Sequence, residues 1–307
     1  MSAFGILNTP VVLGQIDPND GFSEKIYSSQ IELRHDNDFL HFTDKYYTTG
    51  NYIVYRFLAN DEDGTDINRQ NAFYLGQEIY TPSDLDEIDY TKYDRPYGGF
   101  LGLFYQHTVA SKKWLFDFKS SFGVTGPWSG AEGLQSLFHE TATEDSRVPT
   151  WNEQIGNGVT INFYFNYVNE WQLAFYPFSV YFALSPEIAL GSKDVYLQQD
   201  VVFYFGKRNP MHQSTAYNQI GKLKNEFFFA TRFGYRRVIH DTMLEGNLIN
   251  ESSILLMDPL KNVFFYKVEI HYRKKRNDFK LYYNYESSRT KRAKSHYYVT
   301  LSLARNF

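Results

Sequence analysis

The segment Tyr297-Tyr298-Val299-Thr300-Leu301-Ser302-Leu303-Ala304, just ahead of Phe307, decides the fold class. Tyr297, Val299, Leu301 and Leu303 fall on one side of an extended chain, and Tyr298, Thr300, Ser302 and Ala304 on the other. One face is greasy and the other polar. The same period of two runs backwards through the chain. Phe279, Leu281, Tyr283 and Tyr285 alternate with Lys280, Tyr282, Asn284 and Glu286. Phe264, Tyr266, Val268, Ile270 and Tyr272 alternate with Lys267, Glu269, His271 and Arg273, and similar stretches occupy 114–122 and 161–167. A soluble sandwich also buries one face and wets the other, so alternation alone leaves two classes open.

Composition separates them. The 307 residues are 43% hydrophobic and 19% aromatic, with no cysteine, a net charge of -4 and a pI near 6.1. The hydrophobic share lies slightly below the roughly 45–50% of soluble domains, yet aromatics are abundant. Outer-membrane barrels combine the two, because only alternate residues face lipid and aromatic girdles mark both interfaces. No run approaches the roughly 18 apolar residues of a membrane-spanning helix. Mild acidity without a basic run argues against nucleic acid as a partner. Residues 1–15 lack the basic start and apolar stretch of a secretory signal, so the sequence reads as a mature chain with an added or retained Met1.

About twelve strands are expected in one barrel domain spanning 1–307, near 26–37, 47–59, 70–81, 97–110, 113–125, 155–169, 171–190, 195–207, 224–239, 262–275, 278–289 and 295–307. Breaks at 61–64, 110–112, 168–170 and 275–278 read as short turns, and the longer connections at 38–46, 82–96, 126–153 and 240–261 fall at the other end. Asn209 to Gly221 is the exception, long but on the short-turn side. The inward Lys267, Glu269, Arg273, Lys280 and Glu286 carry both signs and are expected to pair and fill the lumen, excluding a wide pore.

Alternate connections of an up-and-down barrel open on one rim, where residues distant in sequence meet. Three polar clusters lie in such connections: Asn37-Asp38 with 43–50, Asp94-Arg95-Pro96-Tyr97, and Gly126-Pro127 through Gln135 and His139. Residues 129–140 are the one helical-looking stretch. On a helix Gln135 and His139 share a face, with Leu134, Leu137 and Phe138 on the other. A solvated capping helix is the plainer reading of that spacing.

These residues resemble the outer-membrane lipid A 3′-O-deacylases. The matching pieces are Asn37-Asp38, Tyr47-Thr48-Thr49-Gly50, Gly76 through Pro82, Asp94 through Gly99, Gly126-Pro127 with Gln135 and His139, and Trp151 through Asn157. They cover roughly residues 30–160 in order. The resemblance implies a twelve-stranded barrel with its site between the wall and a loop helix, facing the outer leaflet. It implies hydrolysis of the ester at the 3′ position of lipid A, with lipopolysaccharide and outer-membrane lipids as partners. By the same resemblance His139 is the base that activates water, Asn37 and Asp38 hold a calcium ion, and Thr48 and Gln135 line the site. A monomer is expected.

Two positions depart from the pattern. The family's loop lysine falls in the acidic stretch 83–92, where Lys92 is the only lysine, and the acidic residue after the histidine is Glu144 or Asp145, Glu144 being taken as the third metal ligand. Arg95 binds a phosphate or braces the loop against Asp94. The basic group Arg289, Lys291, Arg292 and Lys294 meets phosphates and core sugars, or is a solvated hairpin. A phospholipase-like hydrolase and a catalytically silent barrel remain as other readings.

Overall fold

A computed structural model of the chain describes residues 26–38, 45–59, 66–142, 148–174, 178–249 and 251–307. After a two-residue strand β1 (Ile26–Tyr27), the wall is built from β2 (Ser29–Asn37), β3 (Tyr46–Leu58), β4 (Asn68–Thr81), β5 (Gly98–Ala110), β6 (Trp114–Thr125), β7 (Gly158–Ala174), β8 (Ser179–Gly191) and β9 (Asp194–Lys207). It continues, past the short β10 (Gly221–Lys222), with β11 (Glu226–Asp241), β12 (Asn262–Lys274), β13 (Asn277–Glu286) and β14 (His296–Asn306). The twelve long strands pair antiparallel with their neighbours. β14 pairs with β2 and β9 with β11, so the barrel closes. Among the described residues no helix is long and apolar enough to cross a membrane.

Alternation does what the sequence requires of it. Leu301 and Leu303 are exposed on the outer face, as are Leu281, Phe264, Ile53 and Phe73, while Ser302, Lys280, Glu269 and Gln70 are buried on the inner one. Lipid offers the backbone no hydrogen-bond partner, and only a closed ladder satisfies every strand within itself.

Opposite charges fill the inside. Arg232 bonds Glu269 at 2.9 Å, Lys280 lies 3.6 Å from Glu32, and Arg273 bonds Asp278 at 2.6 Å. Glu286 pairs with Arg289 at 2.5 Å, and Arg56 pairs with Glu32.

The long connection 208–225 folds inward and plugs the short-turn end of the lumen. Met211 and the Ala216-Tyr217 pair pack on the inward apolar residues Ala110, Leu115, Val168, Val202 and Phe228. Its backbone is tied to the wall. Asn68 Nδ2 donates to the Ile220 carbonyl at 2.7 Å, and the Arg273 guanidinium to the carbonyls of Gln213 and Gln219, both at 2.8 Å. The two-residue ladder between β1 and β10 joins the plug to the chain ahead of β2.

Two strand boundaries differ from expectation. Val168-Asn169-Glu170 is no turn, because β7 continues through it to Ala174, and β8 starts only at Ser179. Glu170 mimics a turn residue but points into the lumen, where Arg208 contacts it at 2.7 Å and Tyr217 donates to it at 2.9 Å. The helix spans Ala131–Ala142, two residues later than expected, because Gly126–Ser129 first makes a tighter turn, with Gly130 ending that turn in the left-handed region. The break at 61–64 and the reading of the first residues lie outside the described residues.

Arg273 is the residue on which the plug depends. Arg273→Ala leaves Asp278 buried without its cation, a loss of about 3–5 kcal/mol for a broken buried pair. The wild-type barrel should show no conductance steps in a planar bilayer. Arg273→Ala should unfold at lower urea, open conductance steps and expose 209–221 to trypsin.

Candidate functional site

The long-loop rim carries a site on the outside of the wall. In β4 the even-numbered Glu78 and Tyr80 point inward, so Gln77, Ile79 and Thr81 point outward. Ile79 should then meet lipid, yet it is 2% exposed. It is covered by Ala131 of helix α1 (Ala131–Ala142) and by Trp151, Tyr93 and Tyr97 from two loops. Gln77 Nε2 donates to the Ser129 carbonyl at 2.9 Å, holding the start of the helix to the strand. The contact is tight because of a missing side chain. A Cβ on Gly99 would lie 2.1 Å from Ser129 Oγ and 2.4 Å from the Ala131 Cβ.

Helical spacing then sorts the side chains of α1. Ala131, Gln135 and His139, each four apart, are buried against the wall, while Leu134, Leu137 and Phe138 are exposed on the far side with Trp128 just ahead of the helix. The expected division of faces is the observed one. Trp151 Nε1 donates to Gln135 Oε1 at 2.9 Å. That bond fixes the orientation of the Gln135 amide on the buried face. Trp151 is itself held in a left-handed backbone conformation (φ 51°), with its ring stacked 5.2 Å from Tyr97. Sequence reading placed Trp151 in a motif without a role, since neither its backbone angle nor its indole bond leaves a sequence signal.

Beside the helix, β2 to β4 present a polar row on the same wall. A bulge in β3 between Tyr47 and Thr49 adds one residue, and Thr48 turns out to bond Thr81, Oγ to Oγ, at 2.8 Å. Asn37 Nδ2 donates to Thr49 Oγ1 at 3.3 Å, and the buried Asp38 accepts from the Lys45 backbone N–H at 2.9 Å. The oxygens here are those of a carboxylate, a carboxamide and three hydroxyls. That set suits calcium and lacks the nitrogen and sulfur that zinc favours. Among the described residues no group of three His, Cys, Asp or Glu converges, and Glu144 and Asp145 lie outside them.

A family model described as outer membrane protein LpxR matches residues 7–307. The chain belongs to the LpxR family. Among solved structures, LpxR from Salmonella typhimurium superposes with a TM-score of 0.74 at 19% identity, covering 91% of this chain and all of that one. The beta domain of the Bordetella autotransporter Brka (TM-score 0.42, 9% identity, 91% of this chain and 98% of that one) and the NalP translocator domain from Neisseria meningitidis (0.45, 8%, 94% and 91%) are more distant barrels. No curated protein sequence matches significantly. This chain is thus a bacterial outer-membrane β-barrel with the LpxR fold.

Two of the charged residues singled out in this LpxR-family sequence lie away from the α1 face. Lys92 Nζ bonds Glu87 at 3.1 Å with its side chain 63% exposed, and that bond raises its pKa. Arg95 is buried and turned into the lumen over the Tyr80 ring, 4.5 Å from its centroid. It donates to the Pro96 and Met243 carbonyls, both at 3.3 Å, while Asp94 accepts from Tyr46 and Ser83 instead. Of the basic loop, Arg289 pairs with Asp241 and Glu286, and Arg292 donates to the carbonyls of Thr91 and Tyr93.

The close approach at Gly99 tests the placement of α1. Gly99→Ala should push the helix off the wall at an overpacking cost of about 1–3 kcal/mol. Hydrogen exchange should then accelerate over 131–142 while the barrel strands keep their protection. Unchanged exchange there would place the helix elsewhere.

Proposed function

We propose that this LpxR-family barrel hydrolyses the ester joining the 3′-linked acyl chain to lipid A, with the long-loop rim facing out of the cell and His139 as general base. The observation that carries this reading is the position of Gln135 and His139. They are buried between the outer barrel wall and a helix whose other side exposes Leu134, Leu137 and Phe138, so they lie on the lipid side of the wall rather than in the lumen.

In the proposed reaction the His139 imidazole takes a proton from water as its oxygen attacks the ester carbonyl carbon. The carbonyl electrons move onto oxygen, where the Gln135 NH₂, aimed by Trp151, donates a hydrogen bond to the developing oxyanion. Collapse of the tetrahedral intermediate expels the 3′ oxygen of the sugar, which takes the proton back from the imidazolium. The products are a free carboxylic acid and lipid A with a 3′ hydroxyl. The oxygens of Asp38, Asn37 and Thr48, joined by Glu144, suit a calcium ion, which when bound supplies positive charge where the oxyanion forms. Thr48 is oriented for this by Thr81. Lys92, on the exposed loop at the edge of the site, meets the substrate phosphates, whereas Arg95 is turned into the lumen and takes no part in this reaction.

Mass spectrometry of lipid A from cells with and without the protein should show loss of one acyl chain. His139→Ala should lower that activity about 10²–10⁴-fold, the usual contribution of a general base, while the barrel stays heat-modifiable on gels. Acyl loss from glycerophospholipid in place of lipid A would instead favour the phospholipase reading.

Chelation should separate metal from fold. EGTA should abolish hydrolysis without unfolding the barrel, added calcium should restore it, and Asp38→Ala should behave as the chelated protein does. Full activity in excess chelator would remove the metal from the mechanism.

A further inference from the structure

Inside the barrel, on the other side of the wall from α1, the lumen between the plug and the loop rim holds two adjoining cavities of about 220 Å³ each. They share Arg34, Glu78, Tyr80, Arg236, Asp241 and Arg289 as lining. On the same measure a single water needs only about 10–15 Å³, so each has room for a phosphate group.

The carboxylates lining these cavities are already engaged. Asp241 and Glu286 contact Arg289 at 2.5 Å, Glu78 and Asp194 contact Lys193 at 3.1 Å, and Asp36 lies 3.5 Å from Arg34. Cations are left over. Among the described residues Arg95, Arg236 and Lys119 form no ion pair with a carboxylate. Arg236 donates to Gln198 at 2.7 Å and lies 3.8 Å over the Tyr196 ring, and Lys119 lies 4.5 Å over Tyr164. Arg95 has only carbonyls and the Tyr80 ring, and burial pulls its guanidinium below the usual arginine range. Arg34 Nε, also buried, has no hydrogen-bond partner. Buried cations are ordinarily matched by an anion; Arg95 is buried without one, and the half-buried Arg236 and Lys119 have Glu187 and Asp117 near them but not in contact.

We propose that this lumen cavity is an anion site that takes a phosphate group, free or as the monoester of a saccharide. Arg95 holds it from the rim and Arg236 from the wall common to both chambers, with the Tyr80 ring beside it, while Lys119 adds positive charge in the lower chamber. Planar guanidiniums pair with phosphate through two N–H bonds at once, a geometry that aromatic stacking pre-organises. The site is separated from α1 by the wall itself, and its occupancy does not depend on any hydrolysis.

Calorimetry on the full chain in detergent, with inorganic phosphate, glucose 1-phosphate and glucose as probes, tests it. Saturable binding of phosphate is expected, with none for glucose. Arg95→Gln and Arg236→Gln should each weaken it about tenfold, as loss of one charge-assisted partner does. Tighter binding of glucose 1-phosphate than of phosphate identifies a saccharide monoester, and equal binding identifies free phosphate. A readout on the wild-type chain covers the case of a variant that misfolds: phosphate should protect Arg95 and Arg236 from phenylglyoxal, mapped by mass spectrometry. No saturable phosphate binding together with no protection, or full-strength binding by both folded variants, would overturn the proposal, whether or not the protein proves to hydrolyse lipid A.

Discussion

Every feature of this molecule follows from one constraint: a backbone inside lipid must satisfy all its hydrogen bonds within the protein. The β9 to β11 pairing meets it by closing the ladder, and closure fixes two environments on opposite faces of a single sheet. Apolar residues such as Leu301 and Phe264 meet lipid, and ion pairs such as Arg232 with Glu269 fill the inside. Polar side chains on the outer face are then admissible only where something covers them. At the rim of β4 and β5 the cover is α1, which buries Ile79, Gln135 and His139 on what would otherwise be a lipid-facing patch.

The strands were legible because their period of two is enforced by the difference between lipid and lumen, and that difference is large for Leu281 beside Lys280 or Leu301 beside Ser302. Legibility fails where the lumen stops being uniformly polar. Glu170 reads as a turn because it follows Asn169 between two apolar runs, while its true reason for being there is Arg208, a partner that no local window contains. The inward Ala110, Leu115 and Val168 are apolar for the sake of a plug that arrives from 208–225, so the pattern weakens where the fold is most particular.

The site was legible in its residue types and less so in its supports. Four-residue spacing placed Gln135 and His139 together, and a helix made that spacing a shared face. What holds them was hidden. Trp151 orients Gln135 from sixteen positions away, and Gly99 matters only through the side chain it lacks. Arg95, read beside the other site residues, is carried into the lumen by the loop ahead of β5, where it bonds the Pro96 and Met243 carbonyls and lies over Tyr80.

The exposed apolar side of α1, with Leu137, Phe138 and Trp128 outermost, faces sideways into the leaflet. Any lipid that reaches it arrives by lateral diffusion in two dimensions. The concentration that governs its encounter is a mole fraction in the membrane, so diluting that lipid with an inert amphiphile slows encounter even when its amount per millilitre is unchanged. Affinities for such a surface carry units of surface density, and two preparations agree only when their lipid-to-detergent ratios do.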